Sequence, residues 1–448
     1  MKVAFKTLGC KVNQYETQLL REQCRKAGFA AATGPADIYI INTCTVTRKS
    51  DSESRRLIRL ARRENPAARI IVTGCYAELD RGAIERIGGA ITVIKGSEKD
   101  TIVRHLNPRC DPSTRAPAMT GGSLGISPHD VPEGTPGLSR GLHASPGGIT
   151  AFEGRTKAFV KVQDGCDNFC SYCKVPLVRG RSRSRGPEEI VEEICALAAN
   201  GYKEIILTGI CLGDWGRARG LSLADLVRRV DAMPGQFRIR LSSVEPWYVR
   251  RELLECLAAS NRTCRHLHIP MQSGDDDVLA RMNRNFRAGD FRALIERARG
   301  LMPELAFTTD VMVGFPGETD AQFDNTVRLL EMTMPSRIHI FPYSARRGTK
   351  AFLYQGHLPA PLIKVRAGRL RSLAQRLADG YKNKFLGRSL QVLVETRRDR
   401  HTGLLTGYTD NYLKVAFQGP DTLKGKCTPL TLTTDNSYGI LATRLEGV

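Results

Sequence analysis

Cysteine supplies the most specific chemistry in this sequence. Cys166, Cys170 and Cys173 stand in the run Gly165-Cys166-Asp167-Asn168-Phe169-Cys170-Ser171-Tyr172-Cys173, a Cys-x3-Cys-x2-Cys pattern. By composition such a triplet should occur by chance in roughly one chain in a hundred. A structural zinc site takes four protein ligands, and this run offers three. Three thiolates on a four-iron cube instead leave one iron without a protein ligand, free to bind a substrate or cofactor. The competing reading is three buried or zinc-bound cysteines.

A second set is dispersed. Leu8-Gly9-Cys10, Asn42-Thr43-Cys44 and Thr73-Gly74-Cys75 each stand where an apolar, strand-like run ends. In a parallel sheet those ends share one edge, so the three thiols could converge there and again leave an iron open. A lone cysteine so placed would be read as core filler; three at equivalent strand ends reverse that preference. Cys24, Cys110, Cys195, Cys211, Cys256, Cys264 and Cys427 share no such placement and receive no ligand role.

The elements that must position these thiols are legible from periodicity. Apolar runs at Val3 to Thr7, Ile38 to Asn42, Ile70 to Thr73 and Ile91 to Lys95 alternate with helical patterns at Thr17 to Ala27 and Ser52 to Glu64, the signature of a parallel α/β sheet. Residues 108–148 then carry 7 Pro and 8 Gly in 41 positions, a share above the roughly 25–30% that marks a non-periodic linker. Six further strands follow, near Ala158 to Gln163, Glu204 to Thr208, Arg238 to Ser242, His266 to Met271, Ala306 to Val313 and Arg337 to Tyr343. With the helices between them, such as Pro187 to Ala199, they predict a partial (β/α)6 barrel. A basic helix from Pro361 to Phe385 leads into five short strands, Leu390 to Glu395, Gly403 to Tyr408, Tyr412 to Phe417, Thr428 to Thr433 and Ile440 to Leu445, expected as a small antiparallel β-barrel of OB type. The expected divisions are 1–107, a linker over 108–152, 153–386 and 387–448.

The chain has 448 residues with a formal net charge of +21. The length allows roughly three domains and excludes a small disulfide-stapled peptide. The charge favours a polyanionic partner. No apolar run reaches the roughly 18 residues of a membrane span, and Met1 to Cys10 lacks a signal-peptide pattern, so the protein is expected in the cytoplasm and off the membrane. Thirteen cysteines are then expected as reduced, structural or metal-binding thiols.

The Cys166, Cys170 and Cys173 spacing, with aromatic Tyr172 beside the third Cys, resembles that of the radical S-adenosylmethionine superfamily. Together with the Cys-bearing N-terminal sheet and the C-terminal β-barrel, which resembles the TRAM domain, almost the whole chain resembles the methylthiotransferase family. The stretch Thr7-Leu8-Gly9-Cys10-Lys11-Val12-Asn13-Gln14-Tyr15-Glu16-Thr17 is similar to the branch that modifies N6-threonylcarbamoyladenosine in tRNA, next to the anticodon. It departs from the isopentenyladenosine branch, which carries Gly-Cys-Gln-Met-Asn, and from the ribosomal-protein branch, which carries Gly-Cys-Pro-Lys-Asn.

The resemblance implies two [4Fe-4S] clusters. One, on Cys166, Cys170 and Cys173, would reduce S-adenosylmethionine to a 5′-deoxyadenosyl radical that takes hydrogen from C2 of the adenine. The other, on Cys10, Cys44 and Cys75, would present methylated sulfur to the base. S-adenosylmethionine contacts are expected at Tyr172 and at later strand ends: Thr208-Gly209, Ser242 to Glu245 with Ser243 and Glu245 towards the ribose, His268 to Gly274, and Asp310 to Glu318, within which Val313 to Glu318 resembles an adenine-contacting stretch. His266 and His268 share a strand face and are read as barrel lining in preference to metal ligands. Arg179, Arg181, Arg183 and Arg185, and Lys364, Arg366, Arg369, Arg371, Arg376, Lys382, Lys384 and Arg388, are candidate phosphate contacts. Tyr408, Tyr412 and Phe417 are read either as base-stacking rings or as barrel core. The expected partners are tRNA, S-adenosylmethionine and a reducing electron donor. The alternatives are the same chemistry on isopentenyladenosine tRNA or a ribosomal-protein side chain, and a non-catalytic metal-binding RNA protein.

Overall fold

The computed structural model describes residues 1–106, 148–436 and 439–443. The first unit runs β1 (Lys2–Thr7), α1 (Lys11–Lys26), β2 (Ala30–Ala31), β3 (Ile38–Thr43), α2 (Arg48–Glu64), β4 (Arg69–Gly74), α3 (Cys75–Leu79), α4 (Arg81–Glu85), β5 (Ile91–Val93) and α5 (Ile102–Leu106). Its sheet is wholly parallel in the order β2-β1-β3-β4-β5. Every residue of β3 is buried, as a parallel strand covered on both faces requires. The register sets Thr7 beside Asn42 and Asn42 beside Thr73, so β1, β3 and β4 end level.

α1 begins at Lys11, well before the apolar pattern predicts. Its buried face includes Asn13, Glu16, Thr17, Gln18 and Glu22. Those polar residues hide the amphipathic period, because this face meets another unit of the protein and not a wholly apolar core. Tyr15, by contrast, inserts into the main core of the second unit.

That unit runs β6 (Ala158–Lys161), β7 (Gln163–Asp164), α6 (Val175–Arg179), β8 (Arg183–Ser184), α7 (Pro187–Ala199), β9 (Glu204–Thr208), α8 (Leu223–Asp231), β10 (Arg238–Leu241), α9 (Arg251–Ala259), β11 (His266–His268), α10 (Asp276–Arg281), α11 (Ala288–Leu301), β12 (Ala306–Val313), α12 (Asp320–Thr333), β13 (Arg337–Pro342) and α13 (Ala360–Asn383). Two parallel three-stranded sheets, β6-β9-β10 and β11-β12-β13, join through parallel bridges Ile239 to Thr263 and Ser243 to His268. The six strands form the expected partial barrel. Local signals agree: Pro187 opens α7 with Glu188 and Glu189 in its first turn.

β14 (Ser389–Val394), β15 (Leu405–Thr409), β16 (Lys414–Phe417), β17 (Cys427–Asn436) and β18 (Gly439–Thr443) close a five-stranded barrel. Four of its pairings are antiparallel, and the closing β16–β18 pair is parallel, a refinement of the all-antiparallel expectation. Of the linker expected over 108–152, the part up to 147 lies outside the described residues. From 148 the chain packs: Ile149 N–H donates to Glu193 at 2.9 Å, Ala151 N–H to Glu22 at 3.0 Å, and Phe152 meets Phe159 with ring centroids 4.9 Å apart. Among the described residues no helix is long and apolar enough to cross a membrane.

Candidate active site

Level strand ends bring Cys10, Cys44 and Cys75 to one edge of the first sheet. Cys10 caps the N-terminus of α1, Cys75 opens α3, and Cys44 follows β3 directly. Side chains fasten the three ends together. Asn13 Nδ2 donates to Leu8 O at 2.8 Å and Thr43 O at 2.9 Å, and Thr43 Oγ1 donates to Thr73 O at 2.6 Å. Gly9 and Gly74, each just before a cysteine, hold φ of 98° and 96°. A Cβ on Gly9 would lie 2.9 Å from Cys44 Sγ, and one on Gly74 would strike Thr43 O. Both positions therefore demand glycine for conformation and for space.

Cys166, Cys170 and Cys173 lie on the loop after β6 and β7, at the C-terminal mouth of the partial barrel. The loop is pinned by Cys166 N–H to Gly180 O at 3.1 Å and Ser171 N–H to Met282 O at 3.0 Å. Val175 N–H points at Cys173 Sγ at 3.4 Å, and Arg284 Nη1 at Cys170 Sγ at 3.6 Å. Burial pushes the Cys173 thiol up to about 12 and raises Cys170, while a hydrogen bond from Cys211 lowers Cys166.

All six are free thiols. Among the described residues, neither triplet gathers three ligand atoms within 4.8 Å of one another; His268, Asp310 and His339 do. One zinc with sulfurs at about 2.3 Å needs that closeness. An all-thiolate donor set opened wider than a single ion suits an iron–sulfur cluster, so the residues present fit one at each place.

The two cysteine sites are clamped to each other. Arg179, at the end of α6, pairs with Glu16 of α1 at 3.0 Å and with Asp164 at 2.8 Å, and also reaches Asn13. Lys161 meets Glu16 at 3.0 Å, and Lys99 joins them. Burial works against the Glu16 carboxyl, but Arg179, Lys99 and Lys161 hold it well below the usual carboxylate range. On the other side Arg346 pairs with Asp51 at 2.7 Å and donates to Thr45 O at 2.9 Å, beside Cys44.

The expected cofactor contacts fall around the mouth. A Cβ on Gly209 would crowd Gln163 Oε1 at 2.9 Å, so the backbone after β9 is bare and close. Ser243 bridges to His268. Glu245 pairs with Arg284, which also faces Cys170 and lies over Trp247. Tyr172 packs with Val278, Met282 and Phe315 under the loop. The Val313 side chain is fully buried in the main core and its carbonyl accepts from Tyr343 N–H at 2.8 Å, so only its backbone faces the mouth side of the turn that follows. Gly314 N–H donates to Glu318 at 3.0 Å, and Arg366 pairs with Glu318 at 2.7 Å, which fixes the following turn.

Three basic residues, Arg179, Arg185 and Arg366, need correction as phosphate contacts. Arg179 is spent on the joint just described, and Arg185 is buried against Glu193 at 2.5 Å. Arg366 is likewise buried, while Arg369, Arg376 and Arg388 stay exposed, paired with Asp324, Glu331 and Glu304, and Lys382 pairs with Asp379 of its own helix. Arg181 and Arg183 remain exposed. Phe417 belongs to the terminal barrel's core. Tyr408 and Tyr412 stack at 5.2 Å in the seam with the second unit, under Lys157 and Arg240 respectively. Sequence reasoning missed Arg284 and His339 as site residues, while Asp310 opens the segment expected to contact the cofactor. His339 carried a signal, being the register partner of Asp310 on the adjacent strand; Arg284 carried none.

The description "Radical SAM superfamily" matches residues 160–330, and "Uncharacterized protein family UPF0004" matches residues 2–96. The chain is 38% identical to a threonylcarbamoyladenosine tRNA methylthiotransferase of Thermotoga maritima, covering 93% of this chain and 91% of that protein. It is 36% identical to the enzyme so named in Bacillus subtilis, over 95% and 92%. Similarity to a tRNA-2-methylthio-N(6)-dimethylallyladenosine synthase of Desulfitobacterium hafniense is 29%, over 98% and 96%. Among solved structures, the radical S-adenosylmethionine methyltransferase TsrM of Kitasatospora setae superposes with a TM-score of 0.52 at 16% identity, covering 76% of this chain and 74% of that one, a likeness of fold.

Proposed function

The chain belongs to the radical S-adenosylmethionine methylthiotransferases, and from that membership we propose that it adds a methylthio group to C2 of N6-threonylcarbamoyladenosine in tRNA, next to the anticodon. One observation carries the reading: two separate three-cysteine sites, held against each other by the Arg179, Glu16 and Asp164 joint. An aromatic C–H cannot be deprotonated by any Asp or His near neutral pH, so the cofactor must carry the hard step. The enzyme uses S-adenosylmethionine and two [4Fe-4S] clusters, which supply the one-electron chemistry that opens the C–H bond and the methylated sulfur that replaces its hydrogen.

The protein's own part is position. Cys166, Cys170 and Cys173 would hold the first cluster at the barrel mouth, with Arg284 beside Cys170 as a fixed positive charge. Bare backbone at Gly209 would admit the methionine end of the cofactor, and Ser243 and Glu245 would face its ribose. Cys10, Cys44 and Cys75 would hold the second cluster on the sheet edge that Arg179 and Arg346 press onto the mouth. The base would lie between them. Free thiols throughout the described cysteines and a tRNA substrate support a cytoplasmic enzyme served by a reducing electron donor.

Replacement of Cys166, Cys170 and Cys173 by Ala should remove about half the iron of the anaerobically reconstituted, brown protein and abolish 5′-deoxyadenosine formation. Replacement of Cys10, Cys44 and Cys75 should remove the other half and stop methylthiolation while 5′-deoxyadenosine still forms. Iron analysis and mass spectrometry of tRNA nucleosides read both. Full cofactor cleavage by the first variant, or unchanged iron in the second, would return the thiols to a structural role.

A further inference from the structure

The barrel lumen contains a cavity of about 280 Å3 whose lining includes Ser243, the residue placed towards the cofactor ribose. It is walled by the inner faces of β10 to β13, by Tyr412 from the terminal barrel and by Lys11 from α1. Most of its charges are already satisfied. Arg240 donates to Glu204 and to Asp410 O, both at 2.8 Å. Asp310 meets His268 and His339, each at 3.2 Å. Half-buried Lys11 and exposed Arg337 differ: among the described residues neither has a hydrogen-bond or ion-pair partner. Two buried atoms of the same lining, Ser242 Oγ and His266 Nδ1, are also unpartnered, on residues only 7% and 6% exposed. Native interiors leave few such atoms unpaired.

We infer that this cavity receives the threonylcarbamoyl arm of the substrate base, its carboxylate pairing with Lys11 and Arg337 and its hydroxyl and carbamoyl groups meeting Ser242 and His266. The inference rests on the threonylcarbamoyladenosine reading above and deepens it. Lys11 directly follows Cys10, so a carboxylate held there fixes the base beside the site that delivers sulfur. A neutral isopentenyl tail would leave the Lys11 ammonium, Ser242 Oγ and His266 Nδ1 unpaired, and a site with unpaired buried polar groups rejects the ligand that fails to match them. A metal ion on His268, Asp310 and His339 is the rival occupant, but Lys11 and Arg337 in the same small cavity repel a cation.

The test offers the reconstituted holoenzyme synthetic anticodon stem-loop RNAs carrying threonylcarbamoyladenosine, its methyl ester or isopentenyladenosine, and measures kcat/KM for methylthio product by mass spectrometry. The natural chain should prefer the free acid over the ester by about 10- to 100-fold. Lys11→Gln and, separately, Arg337→Gln should bring that ratio towards one, and Lys11→Arg should retain it. A ratio of one in the natural chain, or an undiminished ratio in both Gln variants, overturns the subsite and leaves the substrate reading standing. Preference for the isopentenyl RNA, or turnover of none, overturns the substrate reading and the subsite with it. Turnover that requires added Zn2+ or Mn2+ and is lost in His268→Ala at the same metal concentration gives the cavity to a metal instead.

Discussion

Glu16 meets three cations in the joint between the cysteine-bearing sheet and the barrel mouth, and its carboxylate is buried with them. Removing one partner of such a cluster leaves the others desolvated, so Glu16→Gln should cost about 3–5 kcal/mol, read as a fall in melting temperature at neutral pH. The pH dependence follows from the depressed carboxyl. A group whose folded value lies below its ordinary 4.5 contributes stability that is fully present above that pH and is lost as pH falls through the folded value. Melts across a pH series should therefore show a stronger acid loss in the natural chain than in Glu16→Gln; equal melting temperatures at neutral pH would contradict the account. The same joint explains a misreading. Arg179 and Arg185 look in sequence like the rest of an Arg-x-Arg run, yet only Arg181 and Arg183 face water. Arg179 turns to Glu16 and Asp164 and Arg185 to Glu193, pairings that sequence spacing does not encode.

At the scale of elements, the sheet edge depends on two glycines that turn the chain from strand into cysteine. Gly9→Ala and Gly74→Ala would each force a side chain into left-handed backbone, at about 1–2 kcal/mol, and drive a methyl group against Cys44 or Thr43 O. Iron content should fall towards half in each variant, with 5′-deoxyadenosine formation kept. A full iron complement with normal methylthiolation in both would show that the edge has slack. Strands were the most legible elements: Glu204–Thr208 and Ala306–Val313 match their expected bounds, because continuous apolar runs mark buried parallel strands. α1 was the least legible, since a helix whose hidden face carries Asn13, Glu16 and Glu22 shows no apolar stripe.

For the whole molecule, the charge of +21 predicts salt-sensitive tRNA binding, and the exposed arginines beside the cysteine loop are placed to contribute. Arg181 is 77% exposed in its side chain, with Asp167 at 3.1 Å. Neutralising Arg181 and Arg183 should reduce the slope of log affinity against log salt by about one for each phosphate left without its cation. Arg185→Gln should instead lower the melting temperature, because Arg185 pairs with buried Glu193. An unchanged slope in the Arg181 and Arg183 variants would make that face merely solvated.

Residue type and spacing along the chain determined the chemistry: two three-thiol sets, their placement at strand ends, and the order of parallel sheet, partial barrel and small β-barrel. These are local properties, carried by periods of two and 3.6 and by runs of a few residues. Which charges are free was decided only by the tertiary structure. Arg366 and Lys11 are both basic residues on helices, yet Arg366 closes on Glu318 at 2.7 Å, while Lys11 stands without a partner among the described residues, at a cavity walled mainly by β10 to β13 and Tyr412. Partners that lie hundreds of residues apart meet only when the three units dock, and no local pattern records that meeting.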